Sequence, residues 1–237
     1  MPPEDRRRSS ADVVIVIPAL NESARIAATV SAAATVPNVG LVVVTDDGSS
    51  DATSEVAHEA GAHVTRHSRC RGKAAAMVTG AAAAKEAGYP DSPLLFLDAD
   101  LAATAAAAEP LVTPVLAGDA DMTIAILPPG VPGGGRGFVV RLAANGIKRA
   151  TGWTATQPLS GQRCLTRSLF DAVQPLARGF GVETGLTIDA LRHGARVQEC
   201  PVPFTHRATG TSWHDQMHRA RQYRDVWLAL AARRLRR

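Results

Sequence analysis

The chain has 237 residues, of which 46% are apolar and only 4% aromatic, with a formal net charge of +4; this is ample for one domain with a sizeable core. A pI near 9.3 points to an anionic partner, but no nucleic-acid-binding motif accompanies the arginines, so no nucleic acid is expected. Cys70, Cys164 and Cys200 are odd in number and widely spaced, which excludes a disulfide framework and a zinc site and suits a reducing, cytoplasmic compartment.

Residues 1–10 read as a polar, disordered tail. The run DVVIVIP (12–18) predicts a buried strand. Arg6–Arg8 ahead of it mimic a secretory signal, but the apolar stretch is short, is broken by Pro18 and reaches Asn21 and Glu22 without a small-residue cleavage site. A helix is expected over 22–34, capped by Asn21 or Ser23. A second strand, 41–45, ends in Asp46-Asp47-Gly48-Ser49-Ser50, and Asp51 opens a helix to about Ala60. A short strand (62–66), a basic loop and a helix over 73–87 follow.

The apolar run 93–97 predicts a strand ending in Asp98-Ala99-Asp100, with a helix near 104–117 after it. Beyond a strand at 121–127, the segment 128–137 carries too much Pro and Gly for an element and reads as a loop. Then come a helix at 138–150, the segment QPLSGQRCLTR (157–167), a helix or helix pair across 168–193 and a strand at 195–200. The Pro-bounded stretch 201–213 leads into 214–235, where Met217, Ala220, Tyr223, Trp227, Ala231 and Leu235 recur at helical spacing with arginines between. That is the pattern of a basic amphipathic helix. Its apolar stripe would pack on the body or on a second subunit as a homodimer; the competing reading lays it on anionic membrane at the inner face. No run is long enough to span a bilayer.

Strands alternating with helices predict an α/β fold with a mostly parallel sheet, whose early strands each end in a polar cluster. In such sheets ligands gather beyond the carboxyl ends of the strands, so Pro18–Glu22, Asp46–Ser49 and Asp98–Asp100 should converge. Carboxylates are hard ligands suited to Mg²⁺ or Mn²⁺ shared with a substrate phosphate. The alternative for Asp98 and Asp100 is a loop capping the next helix. Gly72-Lys73 at a helix start would add backbone N–H groups and an ammonium for phosphates.

In this order, VVIVIPALNES, TDDGSSDAT, RGKAAAM and LLFLDADL resemble the nucleotide-binding half of family 2 glycosyltransferases of the GT-A fold. The resemblance implies that Pro18, Ala19, Leu20 and Glu22 line the nucleoside pocket and that Asp47 meets the base. It places Lys73 near base or phosphates, Asp98 with Ala99 at ribose or sugar, and Asp100 on the divalent metal. Farther along, QPLSGQR, GFGVETGLTID and PVPFTHRATGTS resemble both the retaining glucosyl-3-phosphoglycerate synthases and the polyprenyl-phosphate sugar synthases. The first group implies His206 as a second metal ligand, Glu183 on the donor sugar and the Leu159 carbonyl near the anomeric carbon. The second implies Arg163 and Arg207 on phosphate. Two departures stand out: Gly134-Gly135-Arg136 is followed by Gly137-Phe138-Val139 where the first group carries a Thr, and Trp213 stands where the second usually has Lys.

The expected organisation is a GT-A domain over 11–213, with a nucleotide-sugar-binding half at 11–120 and an acceptor half at 121–213, and the terminal helix at 214–237. The expected function is metal-dependent transfer of a hexose from a nucleoside-diphosphate sugar, UDP-glucose-like, with Asp100, Glu183 and Arg207 as catalytic candidates. The acceptor is open and could carry phosphate or lipid. Alternatives are a polyprenyl-phosphate sugar synthase at the membrane surface and a non-catalytic nucleotide-sugar-binding relative.

Overall fold

The computed structural model describes residues 12–128, 137–205 and 213–234. The expected tail at 1–10, most of the 128–137 loop, and the candidates His206 and Arg207 lie outside the described residues. A seven-stranded sheet in the order β3-β2-β1-β4-β6-β5-β7 organises the chain. Its first half alternates strand and helix: β1 (Val13–Ala19), α1 (Ile26–Ala33), β2 (Val39–Asp46), α2 (Thr53–Glu59), β3 (His63–Arg66), α3 (Lys73–Glu86) and β4 (Leu94–Phe96). All neighbours among these strands pair in parallel.

A 3₁₀ turn at Ala102–Ala108 leads into α4 (Glu109–Leu116) and β5 (Met122–Ile126). After α5 (Phe138–Thr151) comes β6 (Arg163–Leu165), then α6 (Arg167–Ala172), a 3₁₀ turn at Gly179–Gly181, α7 (Val182–Arg192), β7 (Val197–Pro201) and α8 (Trp213–Arg234). The expected helix pair across 168–193 is thus α6 and α7. Strand β6 inserts antiparallel between β4 and β5, so the sheet is mixed and not wholly parallel.

The period-two geometry of a strand explains why β1 is apolar throughout. Val13, Ile15 and Ile17 pack with α1 and α4 on one face, whereas Val14 and Val16 meet α3 on the other. Each such fully buried side chain contributes about 1.5–3 kcal/mol relative to exposure. Gly80 lets α3 lie close, because a Cβ there would sit 2.4 Å from Val16 Cγ1.

Two boundary expectations differ from the structure. Helix α1 starts at Ile26, not at residue 22, because Asn21 adopts a left-handed φ of 56° and its carboxamide accepts from Ser50 N instead of capping the helix. Among the described side chains of α8, Val226, Ala229, Leu230 and Arg233 are buried, while Tyr223 and Trp227 are exposed. Tyr223 and Trp227 of the predicted stripe thus face outward, and Arg233 reaches inward to Asp189; Met217, Ala220 and Leu235 lie outside the described side chains. No helix among the described residues is long and apolar enough to cross a membrane.

Candidate active site

Strands β1, β2 and β4 lie side by side, and β1 and β2 run in register to Ala19↔Asp46. Their trailing loops consequently meet at one sheet edge, as the sequence predicts. Loops 20–25 and 46–53 are laced together: Asn21 N donates to Ser49 Oγ (2.9 Å), Glu22 N to Thr53 Oγ1 (2.9 Å) and Ser23 N to Asp51 Oδ2 (3.2 Å). Asp51 also accepts from the Thr53 hydroxyl and N–H, and these bonds draw its pKa down to about 2. Pro18, Ala19, Leu20 and Glu22 sit along this laced edge, with Leu20 43% exposed and Ala19 buried.

Asp47 has a different task from the one expected. It is 4% exposed and accepts from Arg71 N (2.8 Å), Gly72 N (2.7 Å), the Cys70 thiol (3.1 Å) and His67 Nδ1 (2.6 Å). Burial raises its pKa, but these bonds outweigh burial and leave it below the ordinary value. The carboxylate is spent on fixing the loop before α3 and is not open to a base. His67, which no sequence signal distinguishes, completes the brace by meeting Thr79 Oγ1 on α3 (2.8 Å). Gly48 makes this packing feasible, because a Cβ there would lie 2.6 Å from the Arg69 carbonyl carbon.

The brace delivers Lys73, the first residue of α3, to the centre of the site. Its ammonium lies 2.7 Å from Asp98 Oδ1 and 3.0 Å from Glu183 Oε1. Desolvation alone would lower its pKa, but the two carboxylates outweigh that and hold it above the ordinary lysine value. Asp98 and Glu183 are 85 residues apart in sequence, yet one cation joins them.

The loop before β6 closes over this pair. Gln162 donates its amide to Asp98 Oδ2, and the Ser160 hydroxyl donates to Gln162 Oε1 (3.2 Å), which orients that amide. A Cβ at Gly161 would sit 2.4 Å from Lys73 Nζ and 3.1 Å from both Asp98 carboxylate oxygens. Gln157 ties the start of the loop to Leu127 through a reciprocal amide–backbone pair (2.8 and 3.0 Å), and Glu199 accepts from Thr156 N and Gln157 N. Leu159 is half-buried on the inner side of the loop.

Arg163 departs from its expected phosphate contact. It is 1% exposed, and its guanidinium donates to Ser160 O (2.8 Å), Pro158 O (3.3 Å) and Thr187 Oγ1 (2.8 Å). Burial lowers its pKa to about 10 against the opposing pull of Glu183 and Glu199. A guanidinium so enclosed holds the loop on α7 and has no open face for a phosphate.

The Asp98–Asp100 loop carries local strain. Ala102 adopts a φ of 47°, a conformation that costs a residue with a Cβ about 1–2 kcal/mol. Thr29 on α1 pins it, donating to Ala99 O (2.8 Å) and accepting from Ala102 N (2.9 Å). Asp100 is half-buried on this loop. Among the described residues no three His, Cys, Asp or Glu side chains form a metal cage. The donor set nonetheless fits a small hard cation: Mg²⁺ is ordinarily bound by one or two carboxylates and substrate phosphates, not by an all-protein cage.

Comparison with known proteins accords with this architecture. The family model "Glycosyl transferase family 2" matches residues 14–175. Glycosyltransferase AglJ of Haloferax volcanii is 30% identical over 203 residues, covering 84% of this chain; the match spans 65% of AglJ's own length. Glucosyl-3-phosphoglycerate synthase from Mycobacterium tuberculosis, solved with phosphoglyceric acid, superposes with a TM-score of 0.77 at 26% identity, covering 94% of this chain and 79% of that one. The same enzyme with Mn²⁺, UDP-glucose and phosphoglyceric acid gives 0.74 at 27% identity, with the same coverage. Its complex with Mg²⁺ and UDP gives 0.75 at 26%, again with that coverage.

Proposed function

The chain belongs to glycosyl transferase family 2, and from that premise we propose that it moves a hexose from a UDP-sugar to an anionic or phosphate-bearing acceptor. The observation that carries the reading is the junction of Lys73, Asp98 and Glu183 under Gly161 and Gln162, two residues along the loop from Asp100. It joins the two halves of the domain at the strand ends where α/β sheets take their ligands. Support also comes from the structural relative solved with UDP-glucose and a divalent ion.

In this reading Pro18, Ala19, Leu20 and Glu22 border the nucleoside. Asp98, held by Lys73 and Gln162, accepts hydrogen bonds from ribose or sugar hydroxyls. Asp100 would hold a Mg²⁺ or Mn²⁺ ion, with His206 as the second protein ligand. When bound, that ion neutralises charge on the departing diphosphate. Lys73 adds a fixed positive charge close to the bond that breaks, and a preorganised charge in a sheltered site favours the charge-separated transition state; Arg207 is proposed to contribute in the same way. The anomeric C–O bond to the diphosphate breaks with the electron pair leaving on UDP, while an acceptor oxygen forms the new bond. A phosphate acceptor is already ionised and needs no base. With a hydroxyl acceptor and inversion, Glu183 would take its proton.

Release of UDP from UDP-glucose, measured with Mn²⁺ and again with excess EDTA, tests this. Turnover that EDTA abolishes is expected; no turnover or binding across UDP- and GDP-linked donors would overturn it.

A further inference from the structure

Two cavities, of ≈ 700 and ≈ 550 Å³, open beside the candidate site and share Arg71, Gly72, Arg178 and Gly179 in their walls. Gly72 adjoins Lys73, so this groove begins one residue from the catalytic junction. It lies between the start of α3 and the turn that precedes α7. Arg69 lines the first cavity, together with the apolar Val78 and Leu176.

The charges along this groove are unevenly satisfied. Several arginines outside it are paired: Arg66 with Asp46, Arg167 with Asp171 and Arg196 with Asp121. Within the groove, Arg224 is taken by Asp225, and Arg233 by Asp189. Asp225, the carboxylate in the groove wall, is further engaged by Phe180 N. The side chains of Arg69, Arg71 and Arg178 have no carboxylate partner among the described residues. All three are exposed residues of one concave surface, and a guanidinium's fork of donors matches phosphate or carboxylate oxygens.

We propose that this groove, which begins beside Lys73, binds a phosphate or carboxylate group of the acceptor, held by Arg69, Arg71 and Arg178. The proposal rests on the transferase reading for the word acceptor; the groove itself can be tested without it. The apolar wall at Val78 and Leu176 suits the hydrocarbon part of such a molecule. The anion can come from a free phosphate ester or from a lipid headgroup, and these sources separate by experiment.

Inorganic phosphate is titrated into the full-length protein already saturated with UDP and Mn²⁺, so that the donor site is filled. The unaltered chain should bind, and Arg71→Gln or Arg178→Gln should each weaken phosphate about tenfold, the range expected for a charge-assisted bond. UDP affinity should stay within about twofold. Arg149→Gln, in a separate cavity, should leave both unchanged. Sedimentation with phosphatidylcholine vesicles, with and without phosphatidic acid, identifies the source. Arginine-dependent sedimentation with phosphatidic acid means a headgroup; phosphate binding without sedimentation means a free ester. Absence of phosphate and vesicle binding overturns the proposal, as does equal weakening by Arg149→Gln. Parallel loss of UDP and phosphate in the Arg71 and Arg178 variants would assign these residues to the donor site and also overturn it. Failure of UDP to bind the unaltered chain would instead sink the donor reading, and phosphate titrated alone would still test the groove.

Discussion

Lys73 is the residue on which the site turns, because among the described residues it alone pairs with both the strand-end Asp98 and the helix-borne Glu183. Lys73→Met would leave two carboxylates facing each other without a cation. Turnover of UDP-sugar should fall by about 10²-fold or more in steady-state assays, the usual scale for losing one electrostatic group; a fall below threefold would remove Lys73 from the chemistry. Gly161→Ala makes a subtler test. Its Cβ would meet the mobile tip of Lys73 and not backbone, so the ammonium moves and the fold survives. Activity should drop at least about tenfold, since small misplacements in a site are expensive, while the melting temperature changes little.

Asp46 and Asp47 set the acid side of stability. Burial works against their ionisation, yet hydrogen bonds outweigh it and both pKa values lie below the ordinary 3.8. Because the folded value is the lower one, their contribution is complete above the unfolded pKa and is lost as pH falls through the folded one. In acid titrations followed by circular dichroism, Asp47→Asn should be destabilised by about 1–3 kcal/mol near neutrality, the scale of unsatisfied buried donors. Its difference from the unaltered chain should shrink below pH 3.8. A constant difference would contradict this assignment.

At the scale of elements, α8, expected to pack on the body or on a second subunit, also shapes the turn that leads to Glu183. Its Asp225 accepts from Phe180 N in the Gly179–Gly181 turn (3.3 Å), two residues before α7 brings in Glu183. Cβ atoms at Gly179 and Gly181 would collide with Asp225 and Ala229, so the turn is moulded to the helix. Arg233 anchors the same packing through Asp189 and Gly185 O. Removing one partner of a buried pair typically costs about 3–5 kcal/mol. Urea unfolding of Arg233→Met should show a loss of that order, largely restored in Arg233→Met/Asp189→Leu. Little loss in the single variant would mean that α8 is held by its apolar contacts alone.

These elements also mark how far the sequence could be read. Strands β1, β2 and β4 are continuous apolar runs, so their position and the convergence of their polar ends follow from hydropathy and parallel topology. Strand β6 escapes the same reading because its Arg163 is buried by carbonyl and hydroxyl partners that no local pattern announces. For the same reason Arg163 and Asp47 were expected on ligand. Their residue types suit phosphate and base, but neighbouring loops consume them. Gln162 lies in the QPLSGQR segment; only the fold shows that it meets Asp98.

For the molecule as a whole, family membership and the strand-end site make metal-dependent UDP binding the central claim. The described side chains supply carboxylates and cations but no closed metal cage, so ion and nucleotide should bind together and each strengthen the other. Calorimetric titration of UDP into the unaltered chain and into Asp100→Ala, with Mn²⁺ and then with EDTA, measures this directly. EDTA should weaken UDP at least about tenfold in the unaltered chain, and Asp100→Ala should bind weakly with or without Mn²⁺. Equal UDP affinity in all four titrations, or no UDP binding at all, would contradict it.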